Sequence, residues 1–308
     1  MKIVVVGSGA IGCLFGGLLA KSGHDVWMID KDKEVVEKIK KEGICIVTNG
    51  EELQPIQAKS ISNPGEIKSC DFILLCVKCF DTEEAVKGIS HLIKGETPLL
   101  TLQTGIGNIK IASSIIPETN ILGGVTYSGA TVLGPGRIRY VSPGKTYIGE
   151  INGKETERVH RLIEAFEKSG IETRISDNII GHIWSKAIIY AGINPLTAIL
   201  HIKNGQLLDK IESINLLREI IKEGIEIAER SGRRLIYDDP YDSLFYFCKN
   251  TSENLSPMLQ DILNKKKTEI DAFNGAIVEK GRKIGMHTPV NRAIRDIIKL
   301  LEKWGGYE

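Results

Sequence analysis

The sequence lacks an excess of charge of either sign, because its 40 Lys and Arg residues are nearly matched by 39 Asp and Glu residues. A net charge of +1 gives no basis for binding nucleic acid or an anionic membrane surface. We also find no uninterrupted apolar run close to the ~20 residues that a membrane-spanning helix needs. A glycine motif lies within the first twelve residues, so we expect no signal or transit peptide and a cytoplasmic protein.

Cysteine is scarce as well, and its six positions are scattered, so free thiols are expected rather than disulfides. The positions are Cys13, Cys45, Cys70, Cys76, Cys79 and Cys248. Cys76 and Cys79 spell C-x-x-C, but Cys76 falls inside a predicted apolar strand, Phe72–Val77, where cysteine acts as a small hydrophobe. Since no second pair completes a ligand set, the sequence predicts no metal site.

The stretch Lys2–Asp30 carries the most informative motif. A run of β-branched residues predicts a buried strand, and Gly7-Ser8-Gly9-Ala10-Ile11-Gly12 then gives G-x-G-x-x-G before a predicted helix. In such motifs the first glycine makes a tight turn, the second lets a pyrophosphate approach and the third lets the helix pack. A second strand ends in Asp30, where an acid binds a ribose 2′-hydroxyl group. The sequence therefore predicts a dinucleotide site at the N-terminus of this helix.

Strands alternate with helices after Asp30, which predicts a doubly wound parallel sheet. We expect residues 1–177 to form an α/β, Rossmann-type dinucleotide-binding domain. Ligands of such sheets lie beyond the carboxyl ends of the strands, so Lys78 and the turn Gln103-Thr104-Gly105 are candidates for the site. Short alternating runs at Arg137–Val141 and Lys145–Ile148 predict antiparallel hairpins.

Strand signals disappear beyond Asp177, and we expect residues 178–308 to form an all-helical substrate and catalytic domain. Helical periodicity is found at Leu216–Arg230, Thr268–Ile284 and Asn291–Lys303.

Two groups in this second part have the character of catalytic residues. Lys186, Tyr190 and Asn194 follow one another at intervals of four, so they share one face of a predicted helix whose other residues are apolar. A lysine on a solvated surface, with its stem along the protein, is an equal alternative. Glu269 lies four residues before Phe273 on the packed side of a predicted helix, and a carboxylate in that position needs a cation.

The chain resembles the ketopantoate reductases (2-dehydropantoate 2-reductases) from Lys2 to about Arg295. The likeness rests on GSGAIG, Lys78, WSK…INPLTA and NLSPMLQDI…KKTEIDAFNG. It implies that Lys186 is the general acid and that Glu269 completes the site near the nicotinamide. The substrate-pocket candidates are Tyr190, Asn194, Asn204 and Asn254. The cofactor-binding candidates are Gly7, Ser8, Gly9, Ala10, Ile11, Gly12, Asp30, Lys31, Lys78, Thr104 and Ala130.

Three residues depart from the pattern of that family. Thr104 and Tyr190 stand where asparagines are usual, and Pro257 stands where a serine is usual. A polyhydroxylated substrate would lose hydrogen-bond partners at these places, so reductase chemistry is more firmly predicted than the substrate. We expect Tyr190 to lie in the substrate pocket rather than in the helical core.

The predicted function is NAD(P)H-dependent reduction of a 2-oxo acid, with the conversion of 2-dehydropantoate to pantoate in coenzyme A biosynthesis as the leading reaction. Asp30 favours NADH, whereas the family more often uses NADPH. Three alternatives stay open: reduction of another oxo acid, an opine-type reductive amination, and a catalytically silent nucleotide-binding homologue. The expected partner is a small molecule, with neither nucleic acid nor membrane, and a homodimer is possible.

Overall fold

Every strand in the computed structural model, which describes residues 1–48 and 50–306, lies between residues 2 and 175. The chain divides into two units. The first unit consists of residues 1–103 and 108–179, and the second consists of residues 104–107 and 180–308. The short segment 104–107 therefore belongs with the helical part of the chain, although it follows a strand of the first unit.

Eight strands of the first unit form one sheet in the order β12-β11-β8-β7-β6-β1-β2-β5, and only the β8–β11 pair is antiparallel. The doubly wound, mainly parallel sheet predicted from the sequence is thus confirmed. The strands are β1 (Lys2–Val6), β2 (Asp25–Ile29), β3 (Cys45–Thr48), β4 (Glu51–Glu52), β5 (Lys59–Ile61), β6 (Phe72–Leu75), β7 (Leu99–Thr101), β8 (Ile121–Thr126), β9 (Gly129–Gly134), β10 (Arg137–Ser142), β11 (Thr146–Glu150) and β12 (Thr173–Ile175). The helices of this unit are α1 (Ala10–Lys21), α2 (Lys33–Glu42), α3 (Thr82–Ile89), α4 (Asn108–Ser113) and α5 (Glu157–Lys168).

The burial of strand β1 on both faces of the sheet explains why residues 3–6 are all apolar. Its side chains alternate between the two faces of the sheet. Ile3 and Val5 pack in one hydrophobic cluster with Phe15 of α1, whereas Val4 and Val6 pack in a second cluster. Because both faces are covered, the four positions that follow Lys2 in this strand are buried and apolar.

A second, four-stranded sheet has the order β4-β3-β10-β9. The predicted hairpin is present as the antiparallel pair of β9 and β10, but β11 pairs with β8 in the large sheet instead of forming a second local hairpin. Strand β6 ends at Leu75, so the expectation that Cys76 lies inside a strand is wrong. All six cysteines are free, and no cluster of metal-ligating side chains occurs among the described residues.

All regular secondary structure in the described part of the second unit is helical. Its helices are α6 (Ile179–Leu200), α7 (Ile211–Arg230), α8 (Pro240–Asn250), α9 (Pro257–Leu263), α10 (Asn274–Lys283) and α11 (Pro289–Gly305). The predicted helix at Thr268–Ile284 is wrong in its first third, where a 3-10 turn, Ile270–Ala272, precedes α10. The backbone N–H and the hydroxyl of Thr268 both donate to Glu302, at 2.8 and 2.6 Å, and this distant carboxylate fixes a conformation that local periodicity does not indicate. Glu269 therefore lies at the start of a short turn and not on a helix face.

Helix α6 is the centre of the hydrophobic core of the second unit. By length and composition alone it could span a membrane, although Lys186, Asn194 and Pro195 interrupt its apolar sequence. In the structure 78% of its most apolar 18-residue window is buried inside the protein, so α6 is a core helix.

Candidate active site

Each glycine of the first motif has a distinct structural reason. Gly7 has φ of +97°, and a Cβ atom there would lie 2.7 Å from the backbone nitrogen of Val77. A Cβ atom on Gly12 would lie only 1.8 Å from the carbonyl oxygen of Gly7, so the helix could not approach the turn. A Cβ atom on Gly9 would have no atom within 4 Å. The first and third glycines are thus required by the fold, while the second faces open space that a ligand can fill.

The start of α1 presents donors suited to an anion. Gly9 is the N-cap and contributes no side-chain acceptor, so the first N–H groups of α1 have no cap from that residue. The hydroxyl oxygen of Ser8 is buried and has no hydrogen-bond partner among the described residues. The Asp30 carboxylate accepts the backbone N–H groups of Ser8, at 2.6 Å, and of Asp32, at 3.0 Å. Asp30 therefore holds the loop in shape at the end of β2.

The other cofactor candidates of the first unit follow β2 and β6 or lie in β9. Lys78 is half-buried and directly precedes a 3-10 turn, Cys79–Asp81, beyond β6. Lys31 forms an ion pair with Asp81 at 2.7 Å. Ala130 lies in β9 opposite Tyr140, at the edge of the smaller sheet.

Gln103, two residues after β7, is hydrogen-bonded to the segment that follows β6. Its place in a turn did not indicate this role. Its carboxamide nitrogen donates to the carbonyl of Val77 at 2.9 Å and to the hydroxyl of Thr82 at 2.8 Å. Thr104, the next residue, begins the segment that belongs to the second unit, where the N–H of Ile106 donates to the carbonyl of Ala272 at 2.8 Å.

Lys186 is a buried ionisable group of the second unit. It lies on α6 and only 7% of it is exposed. Burial lowers the pKa of Lys186 to about 8 from an ordinary value of 10.5. Its Nζ lies 5.0 Å from the centre of the Tyr190 ring, within the range of a cation–π interaction. The alternative of a solvated surface lysine is therefore wrong.

Tyr190 belongs to an aromatic group with Phe247 and Phe273, whose ring centres lie 5.4 and 6.1 Å from its own. Phe273 follows Glu269 by four residues, so the turn after Glu269 is anchored to the ring that contacts Lys186. Glu269 itself is half-buried. Tyr190 is also half-buried and packs against the helical core, and its place in a substrate pocket stays a prediction.

Asn194 lies one turn beyond Tyr190 and is 2% exposed. Its backbone carbonyl accepts a hydrogen bond from the Thr197 hydroxyl. The hydroxyl oxygen of Thr197 also lies 2.7 Å from that of Ser256. Ser256 caps α9 by accepting the N–H of Leu259, and Pro257 is the exposed first residue of that helix. A buried hydroxyl is thus present beside Asn194, one residue before the proline.

Asn204, at the start of a 3-10 turn, and Asn254, between α8 and α9, lie side by side. The backbone N–H of Asn204 donates to the carbonyl of Asn254 at 3.1 Å. The Asn204 carboxamide donates to the hydroxyl of Thr251 at 3.0 Å, and its own oxygen is buried with no partner in the described part of the chain. A buried acceptor without a partner is uncommon and is typical of a place where water or a ligand binds.

Comparisons with known proteins cover both units. The family model "Ketopantoate reductase PanE/ApbA" matches residues 3–153, and the model "Ketopantoate reductase PanE/ApbA C terminal" matches residues 178–302. Two relatives named 2-dehydropantoate 2-reductase are similar over nearly their whole length. The protein of Pyrococcus abyssi is 37% identical over 97% of both chains, and that of Pyrococcus horikoshii is 36% identical over 99% of both chains.

Solved structures share the fold of the whole chain. A ternary complex of D-mandelate dehydrogenase with NADH and anilino(oxo)acetate has a TM-score of 0.93 and 28% identity, with all of both chains covered. A PanE/ApbA family ketopantoate reductase from Ralstonia eutropha JMP134 has a TM-score of 0.90 and 28% identity, over 98% of this chain and 99% of the other.

The glycine geometry predicts opposite effects for two equal substitutions. Gly9→Ala adds a methyl group in open space, so the melting temperature should stay near that of the unsubstituted protein while dinucleotide affinity falls. Gly12→Ala forces the helix away from the turn, and overpacking of this kind costs about 1–3 kcal/mol. Thermal unfolding and fluorescence titration with NADH and NADPH measure both effects. Wild-type affinity in Gly9→Ala would contradict the assignment of the open space to the cofactor.

The pKa of Lys186 predicts opposite pH trends for activity and stability. A protonated lysine is needed to donate a proton, so kcat/KM for carbonyl reduction should fall above a pH of about 8. The folded-state pKa lies below the unfolded value of 10.5, so this group should add stability as the pH rises from about 8 to 10.5. Rates from nicotinamide absorbance and unfolding curves across this range test the two trends. Lys186→Met should remove the stability increment, and a rate constant that holds level to pH 10 would contradict the assignment.

Proposed function

The chain belongs to the ketopantoate reductase family, and from this membership we propose that it reduces 2-dehydropantoate to pantoate with a reduced nicotinamide dinucleotide. The observation that carries the proposal is Lys186, a lysine that is 7% exposed and has a pKa of about 8. A lysine in water has a much higher pKa and is a weaker acid at neutral pH. Family membership and the glycine loop support the nicotinamide dinucleotide as the co-substrate.

The first unit fits the pyrophosphate and ribose parts of such a cofactor. A pyrophosphate next to Gly9 would accept hydrogen bonds from the first N–H groups of α1 and from the Ser8 hydroxyl. When bound, the reduced nicotinamide supplies a hydride. Lys78, Thr104 and Ala130 stay proposals as cofactor contacts.

The second unit supplies the proton. As the keto carbon gains two electrons and a hydrogen, its oxygen becomes basic, and we assign the Nζ of Lys186 as the group that protonates it. The balance is one hydride and one proton added to the C=O bond, which gives a secondary alcohol and a neutral lysine. Neutral Lys186 regains its proton from solvent. Glu269 is proposed to orient the ammonium group, and Asn194, Asn204 and Asn254 are proposed to bind the polar groups of the substrate.

Substitution of the lysine and the glutamate tests the mechanism. Lys186→Met keeps the bulk of the stem and removes the acidic proton, so kcat on 2-dehydropantoate should fall by about 10²–10⁴. Glu269→Gln should cost less, and the double variant should fall well short of the product of the two losses, because groups that act as a unit are not additive. Steady-state kinetics at a pH below 8 give all three values.

Controls keep folding and reaction class separate from the proton transfer. Equal melting temperatures and equal dinucleotide affinities would show that the variants are folded. Added ammonium or amino acids should leave the rate of nicotinamide oxidation unchanged, since reductive amination would require them. Near-wild-type kcat in Lys186→Met overturns the mechanism, and no turnover of any 2-oxo acid by the unsubstituted protein overturns the function.

Cofactor choice is proposed to favour NADH or to include both dinucleotides, because Asp30 would repel a 2′-phosphate. Lys31, the nearest cation in sequence, is already paired with Asp81. Asp30→Asn removes the charge and keeps an acceptor for the loop, whereas Asp30→Ala removes both. The ratio of kcat/KM for NADPH to that for NADH should rise in both variants, and only Asp30→Ala should also lose overall affinity. A strong NADPH preference in the unsubstituted protein would contradict the proposal.

Tyr190 is proposed to restrict the substrate pocket. Tyr190→Asn introduces the carboxamide that is usual in the family. It should raise kcat/KM on 2-dehydropantoate relative to that on simpler 2-oxo acids. Tyr190→Phe keeps the ring beneath Lys186 and serves as the matched control. Lower melting temperature with an unchanged substrate ratio in Tyr190→Asn would place the tyrosine in the core alone.

The cytoplasm is the proposed location of the protein. A homodimer is the proposed assembly, and light scattering after size-exclusion chromatography measures its mass.

A further inference from the structure

Pro195 lies inside helix α6 and breaks its hydrogen-bond ladder. Proline has no N–H, so the carbonyl of Ala191, four residues earlier, loses its partner in the helix. Ala191 is 0% exposed, so its carbonyl is away from bulk water and needs another hydrogen-bond partner. The segment that contains this carbonyl also carries Tyr190 and Asn194.

Asn274 fills the vacant position. Its carboxamide nitrogen lies 3.0 Å from the carbonyl oxygen of Ala191. A carbonyl only accepts hydrogen bonds, so the chemistry fixes which end of the carboxamide faces α6. Asn274 is 0% exposed and is the first residue of α10, directly after Phe273.

The second hydrogen of the same amide group connects α6 to two more helices. It is donated to the side-chain oxygen of Asn291 at 3.0 Å. The Asn291 amide donates in turn to Glu223 on α7, at 2.7 Å. Glu223 also accepts the backbone N–H groups of Val290 and Asn291, both at 2.9 Å, and so caps the N-terminus of α11.

We propose that Asn274 is a positioning residue for the reaction, because its carboxamide replaces the hydrogen bond that Pro195 removes and thereby fixes the part of α6 between Lys186 and Asn194. Asn291 and Glu223 hold the carboxamide in its orientation. The role assigned to Asn274 in catalysis rests on the proposed reductase function. The hydrogen-bond replacement itself does not rest on that function, and this difference allows separate tests.

A rescue experiment tests the replacement directly. Pro195→Ala restores an N–H group that can bond to the carbonyl of Ala191, so Asn274 should become less important in that background. Asn274→Leu alone should lower kcat on 2-dehydropantoate by about tenfold or more, as a small misplacement of catalytic groups does. In the Pro195→Ala background the same change should cost several-fold less, since residues that share one partner are coupled.

Asn120→Leu is the matched control. Asn120 is also buried and donates from its carboxamide to two backbone carbonyls, those of Gly95 and Thr97, within the first unit. Its substitution should lower the melting temperature and leave kcat unchanged at temperatures where the protein is folded. Dinucleotide affinity should stay within about twofold in Asn274→Leu, because the first unit carries that site.

Three outcomes decide the proposal. Partial recovery of kcat in the double variant supports it. Additive changes in melting temperature for the two substitutions overturn it whether or not the protein is a reductase, because they show that Pro195 and Asn274 do not share a partner. A folded Asn274→Leu variant with the kcat of the unsubstituted protein overturns the positioning role while leaving the reductase function intact.

Discussion

The burial of most of helix α6 is the constraint on which the second unit depends. Ala187, Ile188 and Ile193 are fully enclosed, so a polar group in this part of the helix that has no partner within the helix needs one from another element. Hydrogen bonds from α10 and a hydroxyl at the start of α9 meet that need, and the ring of Tyr190 lies beneath the one ammonium group. The packing of α9 and α10 around α6 therefore satisfies polar groups as well as burying apolar area.

A backbone constraint has the same importance in the first unit. The carbonyl of Gly7 lies where a side chain on Gly12 would begin, so α1 packs against the turn at a distance that only glycine permits. That approach directs the N-terminus of α1 towards the open space above Gly9. Asp30 completes the arrangement by accepting the N–H of Ser8, so the residue proposed to discriminate between dinucleotides is also a structural part of the loop.

The sequence was sufficient to predict features whose cause is local. The glycine spacing, the buried strand β1 and the intervals of four on α6 each follow from backbone geometry or helical periodicity. The turn after Glu269 and the cap of α11 depend instead on carboxylates far away in sequence, those of Glu302 and Glu223. No local pattern encodes such partners. The assignment of residues 104–107 to the helical unit was missed for the same reason, and Asp177 as the domain boundary stays a prediction.

Two effects act on the Lys186 ammonium group in opposite directions. Removal from water favours the neutral amine and lowers its pKa, whereas the face of the Tyr190 ring attracts the charged form. A general acid works best when its pKa is near the working pH, so the balance suits the proposed proton transfer. An aromatic face attracts the charge without accepting a directed hydrogen bond, while a carboxamide at position 190 would engage one of the three N–H donors of the lysine. The tyrosine ring therefore offers the ammonium group a different interaction from the directed hydrogen bond that a carboxamide at this position would offer.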